Sequence, residues 1–254
     1  VLSFWQKETE RQISGIMRQI LRIQILTYVK ADKVLVLAAH PNDDILGCGG
    51  LLKILADNGS KIKVIYFADG SRGTKSAESK RDIIAEREEE ARKSGEVVGI
   101  GAQEFIRLPD SEMKPSFEIA ARIRREIEFD MPDLLLAPHF EDIHPDHHSV
   151  AEILYIGLKG LEKHLNIWLY EVWASSRVNR IIPIDDTLGD KKEALRKHKS
   201  QLKYKRYEES ILALNNYRGL STGAGEYAEA FYAIGPRSYR RMFEILSRHH
   251  ESRI

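Results

Sequence analysis

Side chains that can hold a divalent cation recur at two places in this chain. The first is the run Ala39-His40-Pro41-Asn42-Asp43-Asp44, and the second, far downstream, is His144-Pro145-Asp146-His147. His and Asp are ordinary zinc donors, reaching the ion at about 2.0 to 2.2 Å. His40 and Asp43 stand three residues apart, a spacing that can aim both at one ion from the first turn of a helix. Pro41 disfavours helix at Ala39 and so marks where the preceding strand ends. His147 would supply a third ligand and leave a fourth position open for water. Either half alone would read as a solvated loop. The clustering of four of the nine histidines between His139 and His148, each near carboxylates, points instead to a metal or catalytic site.

The neighbours of these ligands have readings of their own. His144 lies three residues before His147 and could donate to an oxyanion, with Asp146 holding its imidazole charged and oriented. His148 would point away from His147 on a helix, and His139 is left unassigned. Gly47-Cys48-Gly49-Gly50 invites a dinucleotide-binding reading, but the third glycine of that fingerprint is replaced by Leu52. The glycines are better read as letting a helix approach the sheet closely. Cys48 reads as a small buried packing residue.

Both motifs follow short apolar runs, Val34 to Leu37 and Leu134 to Ala137, that read as buried parallel strands. A strand–helix alternation runs through this part of the chain. Strands are expected at Lys33 to Ala38, Lys61 to Phe67, Glu104 to Leu108, Asp133 to Ala137 and Ile167 to Val172. Helices are expected at Ile45 to Asp57, Ala77 to Val98, Ser116 to Phe129 and His147 to Lys159. This pattern predicts an α/β fold with a doubly wound, mostly parallel Rossmann-like sheet and helices on both faces. In such sheets the strand order reverses between the first and fourth strands, and ligands bind past their carboxyl ends. The topology would therefore bring the two motifs together.

Residues 5–29 read as an amphipathic helix, with Ile13, Ile16, Met17 and Ile20 at helical spacing. After Arg180 the regularity fades. Lys191 to Arg206 reads as helix and Asn216 to Gly225 as a Gly-containing loop. One domain over residues 1–254 is the economical division: an N-terminal helix (1–30), a Rossmann-like core (31–175) and a C-terminal extension (176–254).

Bulk properties narrow the function. The chain has 254 residues, is 43% hydrophobic, and carries 39 Lys and Arg against 38 Asp and Glu. This balance gives no reason to expect nucleic acid or a charged membrane as partner. No apolar run approaches the roughly 20 residues needed to cross a bilayer, and the charged N-terminal residues do not read as a secretory signal. One cysteine cannot form an intrachain disulfide, which favours a cytoplasmic location. The charge-rich composition is compatible with a thermophilic source.

The two His-Pro motifs, the Gly-Cys-Gly-Gly segment, Arg87 to Ala91, Leu108-Pro109-Asp110, His198-Lys199-Ser200-Gln201 and Glu226 to Phe231 together resemble the LmbE-like (PIG-L) zinc-dependent N-acetylglucosaminyl deacetylases. The likeness runs from about Lys33 to Phe231 and looks strongest to the archaeal N,N'-diacetylchitobiose deacetylase branch. It implies an enzyme that removes an N-acetyl group from a small GlcNAc-containing sugar during chitin breakdown and assembles as a homohexamer. It further implies Zn2+ held by His40, Asp43 and His147, oxyanion stabilisation by His144 with Asp146 as its partner, and sugar contacts from Arg87 and Asp110.

The chain departs from the family pattern at two positions. Asp44 stands where the family usually has Glu, and Asn42 stands where it has the Asp that takes a proton from the attacking water. An amide cannot serve as a base near neutral pH. Either another group serves as the base, or the resemblance implies a weakened or inactivated form. The alternative is a catalytically silent protein of the same fold that binds metal and sugar. A nucleotide-binding Rossmann protein is a more distant rival, which the incomplete glycine pattern opposes.

Overall fold

The computed structural model describes residues 23–72, 79–161, 165–204 and 206–251, the last four as backbone only. The strands are β1 (Gln24–Ile25), β2 (Lys33–Ala38), β3 (Lys61–Ala68), β4 (Ala102–Leu108), β5 (Leu134–Pro138), β6 (Asn166–Tyr170), β7 (Arg180–Pro183) and β8 (Ala228–Ile234). The helices are α1 (Asp43–Asp57), α2 (Lys80–Val98), α3 (Phe117–Asp130), α4 (Pro145–Gly157), α5 (Leu188–Lys197), α6 (Lys199–Leu202), α7 (Tyr207–Thr222) and α8 (Pro236–Glu251).

Apolar runs such as Val34-Leu35-Val36-Leu37 are buried on both faces, as strands covered by helices on each side must be. The eight strands among the described residues form one sheet in the order β1-β7-β8-β6-β5-β2-β3-β4. Neighbours are parallel except where β8 runs against β6 and β7. One face packs against α3, α4 and α8 through Ile123, Leu154 and Phe243. The other packs against α1, α2, α5 and α7 through Leu52, Ala91, Leu195 and Ile211. No described helix is long and apolar enough to cross a membrane.

The expected reversal of strand order is present. β2 lies between β3 and β5, with Val34, Leu35 and Val36 opposite Leu134, Leu135 and Leu136. The loops after β2 and β5 therefore open onto one crevice at the carboxyl ends of adjacent parallel strands.

Helix α1 carries the first motif into that crevice, and it is not a regular helix. Cys48 sits at φ −145° and ψ 17°, breaking the helix in two. The buried carboxylate of Glu229 receives the amides of Gly50 and Leu51, at 2.9 and 2.8 Å, and so caps the second half. Lys191 donates to the Leu46 carbonyl at 2.9 Å, to Glu229 at 2.6 Å and to Asn215 at 2.9 Å. Both ends of the break thus find partners away from water. The glycines permit the approach. A Cβ on Gly47 would lie 2.2 Å from the Tyr170 ring, and one on Gly50 would lie 2.6 Å from Ile184.

Three expectations are corrected. The N-terminal helix was expected to reach residue 29, but Gln24–Ile25 pairs in parallel with Arg180–Ile181 as an edge strand; residues 5–22 of that helix lie outside the described residues. Asn216 to Gly225 is not a loop, because α7 runs to Thr222 and ends on Gly223 at φ 72°. Its polar residues are used in tertiary bonds: Asn215 receives Lys191, and Asn216 donates to the Glu226 carbonyl at 2.9 Å. The extension is also more regular than its sequence suggests, since it adds β7 and β8 to the sheet.

Candidate metal centre

The turn after β2 builds the first half of the site. The amides of Asn42 and Asp43 both donate to the His40 carbonyl, at 2.8 and 3.2 Å. The Asp43 carboxylate turns back onto the His40 amide at 2.7 Å. Asp43 and Asp44 occupy the first turn of α1, where the helix dipole favours negative charge. The second half comes from the start of α4. There His144 is the N-cap, Pro145 is the first helical residue, and His147 faces inward at 0% exposure.

His40, Asp43 and His147 converge. The Asp43 Oδ2 atom lies 3.3 Å from His40 Nδ1 and 3.1 Å from His147 Nε2. Donors bound at about 2.0 to 2.2 Å around a tetrahedral ion stand roughly 3.3 to 3.6 Å apart, close to these separations. Among the described residues, neither ring nitrogen of His147 finds a well-aligned hydrogen bond, although carboxylates stand beside both. Ligands that share an ion leave this geometry, with donor atoms adjacent but not aimed at one another. The residues present fit a divalent cation. The described groups whose donor atoms all lie within 4.8 Å of one another are His40, His144 and His147, and His40, Asp110 and Asp146; Asp43 adjoins the first group through its contacts with His40 and His147.

The site is held by carboxylates on its far side. Asp142 stands 3.2 Å from His147 Nδ1, and it accepts from the amides of His144 and Trp173 at 2.9 and 3.0 Å. A carboxylate on the second ring nitrogen fixes the tautomer and orientation of a metal-binding histidine. Asp146 accepts from the Ser111 amide at 2.8 Å and stands 3.0 Å from His40 Nε2, with Asp110 3.5 Å from the same nitrogen. Ser111 reaches this position at φ 62°, outside the comfortable range for a side-chain-bearing residue.

The resulting electrostatics are strongly polarised. Burial works against charge on His40, but Asp110, Asp146 and Asp43 raise its pKa well above the ordinary imidazole value. Burial likewise opposes charge on His147, yet Asp43 and Asp142 push it up to about 9. Asp43 is held far below the usual carboxylate range by His147 and His40, against the opposing effect of its burial. Asp44, buried behind the loop, is pushed up to about 7 by burial despite a 2.8 Å bond from the Tyr66 hydroxyl.

The expected partnership of His144 and Asp146 takes a different form. The Asp146 carboxylate is taken by His40 and Ser111, while His144 Nδ1 accepts the Asp146 backbone amide at 3.2 Å. Burial, then the charges of His40 and His147, lower the His144 pKa. The ring is therefore held neutral with its proton on Nε2, rather than held charged by Asp146 as expected. It remains a donor.

The other expected residues are close by. Asp110 accepts the Arg72 amide at 3.0 Å and is buried. Arg87 is only 3% exposed, and its Nε has no partner among the described residues. Asn42 is buried, and its Nδ2 donates to Gln201 Oε1 at 2.7 Å.

Sequence reasoning assigned no role to Asp142, Ser111, His198 or Gln201. Asp142 had a usable signal, because a metal-binding histidine so often has a carboxylate behind it. His198 and Gln201 lie in a segment whose resemblance to the family was visible but whose position was not. His198 is buried with both ring nitrogens unpartnered among the described residues, and burial followed by the charge of Arg87 pushes its pKa down to about 3.

A cluster of His and Asp side chains that could hold a metal ion thus lies at the reversal point of an open α/β sheet, and comparison with known proteins places it. Residues 35–156 match the profile of the PIG-L family, described as GlcNAc-PI de-N-acetylase. It is 28% identical over 219 residues to the diacetylchitobiose deacetylase of Thermococcus kodakarensis, covering 78% of this chain and 81% of that protein. The N,N'-diacetylchitobiose deacetylase of Pyrococcus horikoshii, solved with its inhibitor MPG, superposes with a TM-score of 0.78 at 23% identity. That match covers 94% of this chain and 96% of the other. GalB, the 4-carboxy-2-hydroxymuconate hydratase of Pseudomonas putida, superposes with a TM-score of 0.66 at 21% identity, over 80% and 96%. The two structural matches establish the fold. The hydratase shows that this fold does not by itself fix the reaction.

Proposed function

We propose that the chain is a zinc-dependent hydrolase that removes the N-acetyl group from a GlcNAc-containing sugar such as N,N'-diacetylchitobiose, in the course of chitin breakdown. The observation that carries this reading is the convergence of His40, Asp43 and His147, backed by Asp142, within a deacetylase-family domain. A homohexameric assembly and a single domain over the whole chain belong to the same reading, by resemblance to the chitobiose deacetylases.

A divalent ion held by His40, Asp43 and His147 would polarise the amide carbonyl and bring the pKa of its water down toward about 7. The side chains have the following roles. His144 presents its Nε2 proton to the oxyanion that develops on the former carbonyl oxygen. Arg87 and Asp110 hold the hydroxyls of the sugar. Asn42 occupies the position from which a carboxylate would take a proton, and its amide can orient the attacking water without accepting that proton. The chain is therefore a weakened form of the enzyme.

Acetate release from N,N'-diacetylchitobiose tests this directly. Slow, metal-dependent release is expected from the chain, and Asn42→Asp should raise it by about 10² to 10⁴, the usual contribution of general-base catalysis. The second reading, a silent metal- and sugar-binding protein, is favoured by the neutral amide pair that Asn42 makes with Gln201. Chitobiose binding with no acetate released, even after Asn42→Asp, would establish that reading and defeat the first.

A further inference from the structure

We propose that Gln201 is the positioning residue for the side chain at position 42, and that it governs whether a carboxylate placed there can serve as a base. The proposal deepens the deacetylase reading and rests on it for its kinetic arm.

Gln201 arrives from the C-terminal extension and is only 4% exposed. Its backbone is fixed by the short helix α6, where its amide donates to the His198 carbonyl at 3.2 Å. Its neighbour Ser200 places its amide and hydroxyl on the Glu90 carboxylate of α2, at 2.7 and 2.6 Å. The Gln201 side chain is thus delivered to the metal loop by a segment anchored on both sides.

At the loop, Gln201 touches two groups. Its Nε2 donates to the Pro41 carbonyl at 3.3 Å, and its Oε1 accepts from Asn42 Nδ2 at 2.7 Å. The Pro41 carbonyl can only accept. It therefore selects which end of the Gln201 amide faces residue 42, and the oxygen is the end presented. An asparagine satisfies that oxygen through its NH2 group and turns Oδ1 away from Gln201. An ionised aspartate has no proton to give. After Asn42→Asp, Gln201 must turn over to offer Nε2, which sets its oxygen against the Pro41 carbonyl. The bond it gives up is the longer of the two, so the turn is accessible. The same glutamine can then hold either residue, by accepting from an amide or donating to a carboxylate.

A purely structural contact would not distinguish the two side chains, but a positioning contact does. Where residue 42 is an amide, its exact aim contributes little to a rate that lacks a base. Where residue 42 is a carboxylate, proton transfer depends on that aim, and misplacement by about 1 Å can cost about 10²-fold. Gln201→Leu removes both hydrogen bonds at similar volume. Gln201→Glu keeps an acceptor for Asn42 but sets two carboxylates together when it is combined with Asn42→Asp.

The experiment is a double-mutant cycle that combines Gln201→Leu or Gln201→Glu with and without Asn42→Asp. It reads kcat and KM on N,N'-diacetylchitobiose, metal content, and thermal unfolding. The expected result is a kcat loss from each 201 variant at least tenfold larger in the Asn42→Asp background than with Asn42 retained, with KM and metal content changing little. Equal factors for Gln201→Leu in the two backgrounds would overturn the proposal, because a structural role affects both alike. Thermal unfolding separates this outcome from failure of the enzymatic reading. Even with no acetate released by any variant, Gln201→Glu should lower the unfolding temperature more in the Asn42→Asp background than with Asn42 retained. Additive shifts would overturn the pairing itself.

Discussion

The parallel half of the sheet and the C-terminal half that completes it divide the work unequally. Residues from β2 to α4 contribute all three proposed metal ligands, together with His144, Asp146, Asp110 and Arg87. The described residues from β7 onward include none of the proposed ligands. They supply Lys191 and Glu229 to the broken helix α1, and Gln201 to the residue beside a ligand. In the proposed reading the first half carries the chemistry and the second sets the angles at which that chemistry is presented. Ligand geometry demands such a division, because side chains that touch an ion directly are aimed by groups behind them.

The comparison breaks most completely at His147. His147→Ala removes a ligand from the parallel half and should abolish stoichiometric zinc binding while the sheet stays folded. The check is metal analysis after dialysis beside a circular dichroism spectrum, and full occupancy in the variant would sink the assignment.

Glu229→Ala strikes the other half. It leaves the Lys191 ammonium, at 0% exposure, without its carboxylate. Breaking a buried pair in this way costs about 3 to 5 kcal/mol, so denaturant unfolding should move by about that amount. A change within the roughly 0.5 kcal/mol typical of surface positions would mean that the extension does not brace α1.

Asp142→Asn tests the boundary between the two roles, since Asp142 touches the proposed ligand His147 and none of the other proposed ligands. Zinc affinity should fall by about 10- to 100-fold, measured by competition with a chromophoric chelator. An unchanged affinity would remove Asp142 from the support.

The pH dependence is the gentlest test. In the ion-free protein His147 is raised to about 9 and His40 is raised too, so both carry protons at pH 7. An ion must displace those protons, and apparent zinc affinity should rise with pH by up to about tenfold per unit for each proton released. The ion-free fold responds in the opposite sense. The stability contributed by His147 is present below its unfolded pKa near 6.5 and is lost as pH rises through about 9. A zinc affinity that does not change between about pH 6 and about pH 8 would contradict the charge pattern of the site.

Legibility in the sequence followed the same divide. β2 has the limits read from its apolar run, Lys33–Ala38, and α2 ends on Gly99 as its glycine signals. The proposed ligands could be picked out because they stand on the loops and first helical turns that follow β2 and β5, where type and spacing carry the information. The C-terminal half was not legible. Its strand Ala228–Ile234 contains a glutamate that is fully buried, and a fully buried acid reads as a surface residue until its partners are known. The last two turns of its helix Tyr207–Thr222 hold Asn215, Asn216, Gly219, Ser221 and Thr222 and read as loop, because the tertiary bonds of Asn215 and Asn216 are invisible to local propensity.

By itself, then, the sequence determined which side chains meet at the crevice, since strand periodicity and parallel topology are local rules with a single consistent solution. Only the tertiary structure decided what stands behind each of them. The Asp146 carboxylate serves His40 rather than His144, and the amide of Asn42 is held by Gln201. These choices depend on contacts between residues 106 and 159 positions apart. No local spacing encodes such a distance; it is fixed by how the layers pack and by the requirement that every buried polar atom find a partner.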